Sequence, residues 1–348
     1  MLYKKDGDPI HTPSSRRLNP ILLIVTVLIF CLVTAGCGGG GGGGGGSALV
    51  ENPLPEQDPV PIPSPMSAGG VPVDGFPNWE ERAFLAVTNM VRMAPRGYRD
   101  TYMDDGNILL EQNYPIAGPL YWNHRLNQSA RYHAEDMAGQ DYFAHDSIDG
   151  TLWYERIRFF YPEAASLWEN LAAGTMDPMK SMNLLLCEGY PPCEPDLSSE
   201  DGHRQSMMAL GARELGTGYT LDVSSTYQRY WVQDFAGNTP ATEPPLVAGS
   251  HITIDGYVFF LLNYAGNDGQ DPQDIRIVLD GLVYPLSLHL GDGAAGTYAI
   301  AMSGFSGCST YYFEAVDGRG DGWRYPGSGA LATYGVAGCQ TDYIPSSS

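Results

Sequence analysis

Between Trp79 and Asn238 the apolar positions recur at helical spacing first and at strand spacing afterwards. Phe84, Val87 and Val91 fall three and four residues apart, which predicts a helix that Pro95 stops. Leu126, Ala130, His133, Ala134 and Met137 form one stripe of a second helix, with Asn123 as its cap and Gly139 at its end. A third helix is expected where Asp177 caps Pro178, running through Met182 toward Leu186. Leu215 to Thr220 and Tyr230 to Phe235 carry the β-branched and aromatic residues of paired strands.

Thr239 to Pro245 holds three prolines, and beyond it the helical period disappears. Tyr257–Tyr264, Ile275–Leu279, Leu282–Leu288, Gly296–Met302 and Tyr311–Val316 are short runs separated by turn residues, with Asp255-Gly256 and Asp280-Gly281 as hairpin signals. Residues 239–348 therefore read as a small antiparallel β-sandwich, immunoglobulin-like in kind, following an α+β domain over 77–238.

The amino terminus has a different pattern. Lys4, Lys5, Arg16 and Arg17 precede an uninterrupted apolar run from Ile21 to Thr34. Fourteen residues fall short of the roughly 20 that span a bilayer core, so residues 1–36 read as an export signal. Leu32-Val33-Thr34-Ala35-Gly36-Cys37 resembles a bacterial lipobox, with Thr34 where leucine is usual. That resemblance implies lipidation at Cys37 and anchoring to a bacterial cell envelope, facing the periplasm or the exterior. The alternative is ordinary signal cleavage, which leaves Cys37 a free thiol. Nine consecutive glycines, Gly38 to Gly46, and a proline-rich stretch follow, so residues 37–76 are expected to be a tether.

Charge narrows the function. Against 19 Lys and Arg stand 40 Asp and Glu, a formal net charge of -21, which repels nucleic acid. No P-loop, G-x-S-x-G elbow or H-E-x-x-H helix occurs. Apart from Cys31 and Cys37, four cysteines remain, and they allow three pairings. In an oxidising compartment Cys187 with Cys193 and Cys308 with Cys339 is the expected pairing, because each bridge then stays within one domain. No C-x-x-C supports a zinc site at these cysteines.

Four segments together resemble the CAP superfamily, which contains the cysteine-rich secretory proteins, antigen 5 and the pathogenesis-related proteins, in its bacterial branch. They are Ala130–Met137, Phe143-Ala-His145 with Asp149-Gly150, Trp168–Gly174, and Asp201-Gly-His203-Arg204 followed by Glu214–Tyr219. Tyr230–Phe235 resembles the closing strand. The resemblance covers about 160 of the 348 residues and implies an α-β-α sandwich.

It also implies an open cleft lined by His145, Glu169 and His203, with Glu188 as the candidate second glutamate. Trp168 stands where the family has glycine, which is expected to narrow the cleft mouth. Two neutral imidazoles and a carboxylate could hold zinc or another divalent ion, with His145 and His203 as its ligands. The same groups could move protons, or hydrogen-bond one another and pin the layers together. No nucleophile with an adjacent base is apparent, so a binding role for a small molecule, lipid or metal ion is expected ahead of catalysis. The alternative is a metal-assisted hydrolase acting on envelope or extracellular substrates. The β-sandwich is expected to position the cleft or to contact an envelope or protein partner. His133, on the apolar stripe, reads as a core histidine, and Arg319-Gly320-Asp321 as part of a glycine-rich turn.

Overall fold

The computed structural model describes residues 66–346 apart from 104 and 200. The signal segment, Cys37 and the glycine tract lie outside the described residues. Among the described residues no helix is long and apolar enough to cross a membrane.

The chain enters through a short strand, β1 (Met66–Ser67), and then forms α1 (Trp79–Met93). Asn78 caps α1 reciprocally: its side chain accepts from Glu81 N at 2.9 Å, and Glu81 Oε2 accepts from Asn78 N at 3.2 Å. Pro95 does end α1, and it also opens a further helix, α2 (Pro95–Tyr102), where a missing N–H costs nothing. Next come β2 (Tyr121–Trp122), α3 (His124–Gly139), α4 (Trp153–Phe160), β3 (Leu167–Ala173), α5 (Pro178–Leu186), α6 (Gly202–Met207), β4 (Glu214–Leu221) and β5 (Arg229–Ala236). Asn123 and Asp177 cap α3 and α5 as the sequence predicts.

The strands β2, β4, β5 and β3 form one sheet in that order, with β3 at its edge. The apolar stripe of α3 packs on one face, where Ala130, Ala134 and Met137 meet Leu171, Tyr230 and Val232. Gly216 and Gly218 allow this close approach. A Cβ at Gly218 would stand 2.3 Å from the Ala130 carbonyl carbon, and one at Gly216 2.0 Å from Asn127 N. The other face carries α1, with Phe84 edge-on to Trp231 at 5.2 Å.

Beyond the proline junction come β6 (Leu246–Ile254), β7 (Tyr257–Ala265), β8 (Asp274–Leu279), β9 (Leu282–Pro285), β10 (Ser287–Gly291), β11 (Ala295–Met302), β12 (Thr310–Val316), β13 (Gly322–Tyr325), β14 (Ala330–Ala332) and β15 (Tyr343–Ile344). One sheet runs β10-β11-β7-β6. In the other, β9-β8-β12-β13 pair in sequence, with β14 and β15 extending from β12 and β1 from β13. Taking β6 as strand A, these are the ABED and CFG sheets of an immunoglobulin-type sandwich, with β9 added beside C. Phe260, Tyr311 and Phe313 lie in the shared core. The two Asp-Gly turns are hairpin turns with both residues at positive φ: 50° and 82° at Asp255-Gly256, 49° and 81° at Asp280-Gly281.

Two expectations are corrected here. The run Leu282–Leu288 is not one strand. It breaks at Leu286, whose N–H donates to Ile275 O at 3.0 Å, and β9 and β10 belong to opposite sheets. Residues 66–76, assigned to the tether, are part of the folded body: β1 pairs with β13, and Ala68 N and Gly69 O bond the main chain of Arg324 and Gly327.

Residues 77–238 and 239–348 meet over a buried seam. α1 lies between the sheet of the first region and β6 of the second, so every residue from Glu81 to Met93 is buried. Ile252 and Leu261 share a core cluster with Ala83, Phe84 and Val87. Polar contacts cross the same seam. Arg82 pairs with Asp342, and Trp79 Nε1 donates to His251 O at 2.9 Å. The buried His251 bonds Tyr311 Oη through Nδ1 and Tyr334 O through Nε2. Cys187–Cys193 and Cys308–Cys339 are disulfide-bonded, each within its own region.

Candidate functional site

Alternation along β3 decides which of its side chains reach the site. Glu169, Leu171 and Ala173 face α3, whereas Trp168 points to the opposite layer and packs with Leu85, Ala86 and Ala209. Trp168 therefore sits on the other face of the strand from Glu169, in the layer that carries α6.

His145 lies in the loop after α3, and the inner face of α4 pins that loop. Arg156 donates through Nη1 to His145 O at 3.0 Å and to Ser147 Oγ at 3.1 Å, while Trp153 N donates to Asp146 Oδ1 at 3.0 Å. His145 Nδ1 bonds Glu169 Oε1 at 2.8 Å, and Arg156 Nη2 takes the second oxygen. Burial alone would raise the Glu169 carboxyl, but the His145 hydrogen bond and the Arg156 charge outweigh it and hold the carboxyl below its ordinary range.

Glu188 follows α5 with a left-handed backbone, φ 56°. Its Oε2 lies 2.6 Å from His203 Nδ1 and its Oε1 accepts from Arg204 N at 3.0 Å. The two histidine–glutamate pairs connect through the residue beside Glu169. Asn170 Nδ2 donates to His203 O and to Gln233 Oε1, both at 3.1 Å, and Gln233 continues to Thr88 Oγ1 on α1 at 2.8 Å. All four expected residues thus fall into two dyads, His145–Glu169 and His203–Glu188, one from each layer beside the edge strand.

His145 commits Nδ1 to a hydrogen bond with Glu169, His203 holds Nδ1 2.6 Å from Glu188, and neither Nε2 has a partner among the described residues. Their side chains are 48% and 29% exposed, so Nε2 is what each dyad offers to its surroundings. The glutamates offer little more: Glu169 is committed to His145 and Arg156, Glu188 to His203 and the Arg204 amide. A resident zinc takes at least three protein donors, and two nitrogens fall short of that set. Among the described residues no three His, Cys, Asp or Glu side chains stand together as a metal would need.

Arg156 and Asp234 carry no motif that marks them in the sequence, yet both act on the first dyad. Asp234 is fully buried on β5 directly opposite Glu169, and burial together with that neighbouring charge pushes its carboxyl well above the ordinary range. His133 is buried as expected, with Nε2 on Ala144 O at 2.9 Å, and burial lowers its pKa to about 4. Two cavities of about 260 Å³ lie away from the dyads, one at the sandwich edge by Tyr284 and Phe305, the other beside Trp79 and Lys180.

A sequence model of the cysteine-rich secretory protein (CAP) family matches residues 89–235. Among solved structures, the chain is similar to an extracellular SCP-domain protein of Bacillus anthracis (20% identity, TM-score 0.32, covering 46% of this chain and 40% of that one). It is also similar to an outer surface protein of Borrelia burgdorferi (16%, 0.29, covering 35% and 80%) and to venom allergen-like protein 4 of Schistosoma mansoni (19%, 0.30, covering 48% and 96%). The chain thus spans well under half the length of the first of these. No curated protein matches it. The family match takes in His145, Glu169, Glu188, His203 and all but the last residue of the closing strand β5, so residues 89–235 form a CAP-family domain.

Proposed function

We propose that the chain is an exported binding protein whose two dyads hold a small organic ligand through its hydroxyl or ammonium groups. One observation carries the reading: each imidazole has a carboxylate oxygen within 2.8 Å of Nδ1 and leaves Nε2 without a partner among the described residues. An imidazole that bears its proton on Nδ1 presents a lone pair at Nε2, which accepts a hydrogen bond. A glycerol-headgroup lipid or a sugar carries several such donors. The Bacillus and Borrelia proteins are described as extracellular and outer-surface proteins, which supports export of this chain too. Cys37 would then anchor it to the envelope, with the glycine tract and the proline-rich stretch holding the body off the membrane. Radiolabelled fatty acid should enter the full chain and not Cys37→Ser; label persisting in that variant contradicts anchoring.

Saturation-transfer NMR against short-chain glycerolipids and hexoses tests the binding role, with product analysis on the same samples. Binding that weakens in His203→Ala with every probe recovered intact supports it. Release of a cleavage product by the wild type and not by His203→Ala would instead establish hydrolysis.

A further inference from the structure

We infer that Arg204 is the positioning residue of the His203–Glu188 dyad, setting Glu188 through the disulfide-closed loop without itself meeting the ligand. This inference rests on the binding reading only in taking that dyad as half of the site. Arg204 follows His203 on α6, and about 100° of helical rotation separates their side chains. His203 stays at the surface while the Arg204 side chain is fully buried.

The acceptors of its guanidinium all belong to the chain from Leu186 to Asp201. Nη1 donates to Leu186 O, Nη2 to Glu194 O at 2.8 Å and Pro195 O at 3.0 Å, and Nε lies 2.8 Å from Asp201 Oδ1 and 3.4 Å from Asp196 Oδ1. These groups bracket the Cys187–Cys193 bridge on both sides, and Glu188 lies inside the bracket. A planar guanidinium can serve several fixed acceptors at once, which an ammonium cannot reproduce.

Glu188 has reason to need such a clamp. Its φ of 56° is a conformation that side-chain-bearing residues adopt only when their surroundings impose it. Around it, Glu194 N donates to Cys187 O at 3.2 Å, and the Arg204 amide takes Glu188 Oε1. The outer carboxylates are anchored in turn: Asp196 accepts from Leu109 N and Leu110 N at 2.9 and 2.8 Å, and Tyr114 Oη donates to Asp201. Side chain and main chain of one residue thus fix the loop and the carboxylate that faces His203.

The test is NMR of the full chain with isotope-labelled histidine, read for the tautomer of each imidazole with no ligand added, so its outcome is independent of whether a ligand is found. Glu188→Gln defines the signal of a lost contact. Arg204→Met is expected to shift His203 toward the Nε2–H tautomer and leave His145 unmoved; Arg204→Lys should shift it partway, and Cys187→Ser with Cys193→Ser in the same direction. If Arg204→Met lacks a cooperative unfolding transition, Arg204→Lys and Asp196→Asn decide. A His203 signal identical to wild type in folded Arg204 variants overturns the inference. So does equal movement of His145 and His203, which would make the effect a general loosening.

Discussion

Glu169 and Asp234 stand directly opposite one another across the β3–β5 pair, two buried carboxyls in one cross-strand position. Like charges so placed repel, and burial adds to the cost of ionising the second. The structure resolves the conflict by giving Glu169 the Arg156 guanidinium and the His145 hydrogen bond, and leaving Asp234 with its pKa raised from 3.8. Such a group contributes stability below its unfolded pKa that is lost as pH rises toward the folded value. Asp234→Asn should therefore raise the unfolding midpoint at neutral pH, with the gain vanishing as pH approaches 3.8. A midpoint unchanged at neutral pH would show that Asp234 carries no such burden.

Arg156 and Glu169 are a buried ion pair, 2% and 1% exposed. Removing one member leaves an unpaired charge inside, so Arg156→Met should cost about 3–5 kcal/mol in denaturant unfolding. His145 is half-exposed, and His145→Ala should cost well under half as much. Equal losses would mean that the imidazole, and not the guanidinium, holds the carboxylate in place.

The seam between the two regions should be acid-sensitive. Burial lowers the pKa of His251 to about 4 from 6.5. A base with a depressed folded pKa contributes stability above its unfolded value that is lost as pH falls to the folded one, so the window is about 6.5 down to 4. His133 adds to the same window. Replacing His251 by Gln should flatten the pH dependence of the unfolding midpoint there, and an unchanged slope would assign the loss to other groups. Residues 239–348 expressed alone should unfold earlier than in the full chain, because separation exposes Ile252 and Leu261.

Gly218→Ala should destabilise by about 1–3 kcal/mol, the usual cost of overpacking, because its Cβ would meet the Ala130 backbone and push α3 off β4. Gly139→Ala, at a position where an added Cβ meets nothing, is the control. Comparable losses in the two variants would contradict the close-packing account.

How much of this was legible along the chain follows from what each element buries. α3, α5 and the strands β7, β11 and β12 carry apolar residues toward a core, and their period shows it. α4 reverses the rule. It turns Arg156 inward to Glu169 and leaves Phe159 80% exposed, so its pattern points the wrong way and the helix goes unseen. α1 is buried on all sides, so its stripe gives no hint that a second domain covers it. His145, Glu169 and His203 were found because motif segments carry them. Arg156 and Asp234 carry no signal in the sequence because their roles depend on tertiary pairing alone.

The measurement that bears most directly on the binding reading is a titration of the full chain with the strongest probe from the glycerolipid and hexose set, following the ring protons of all histidines by NMR. The account predicts that His145 and His203 move together and saturate with one dissociation constant while buried His133 and His251 stay fixed, and that affinity falls at least about tenfold, some 1.4 kcal/mol, in His203→Ala. Saturation with His145 and His203 unmoved, or affinity unchanged in the His145→Ala, His203→Ala double variant, would place the ligand elsewhere and contradict the account.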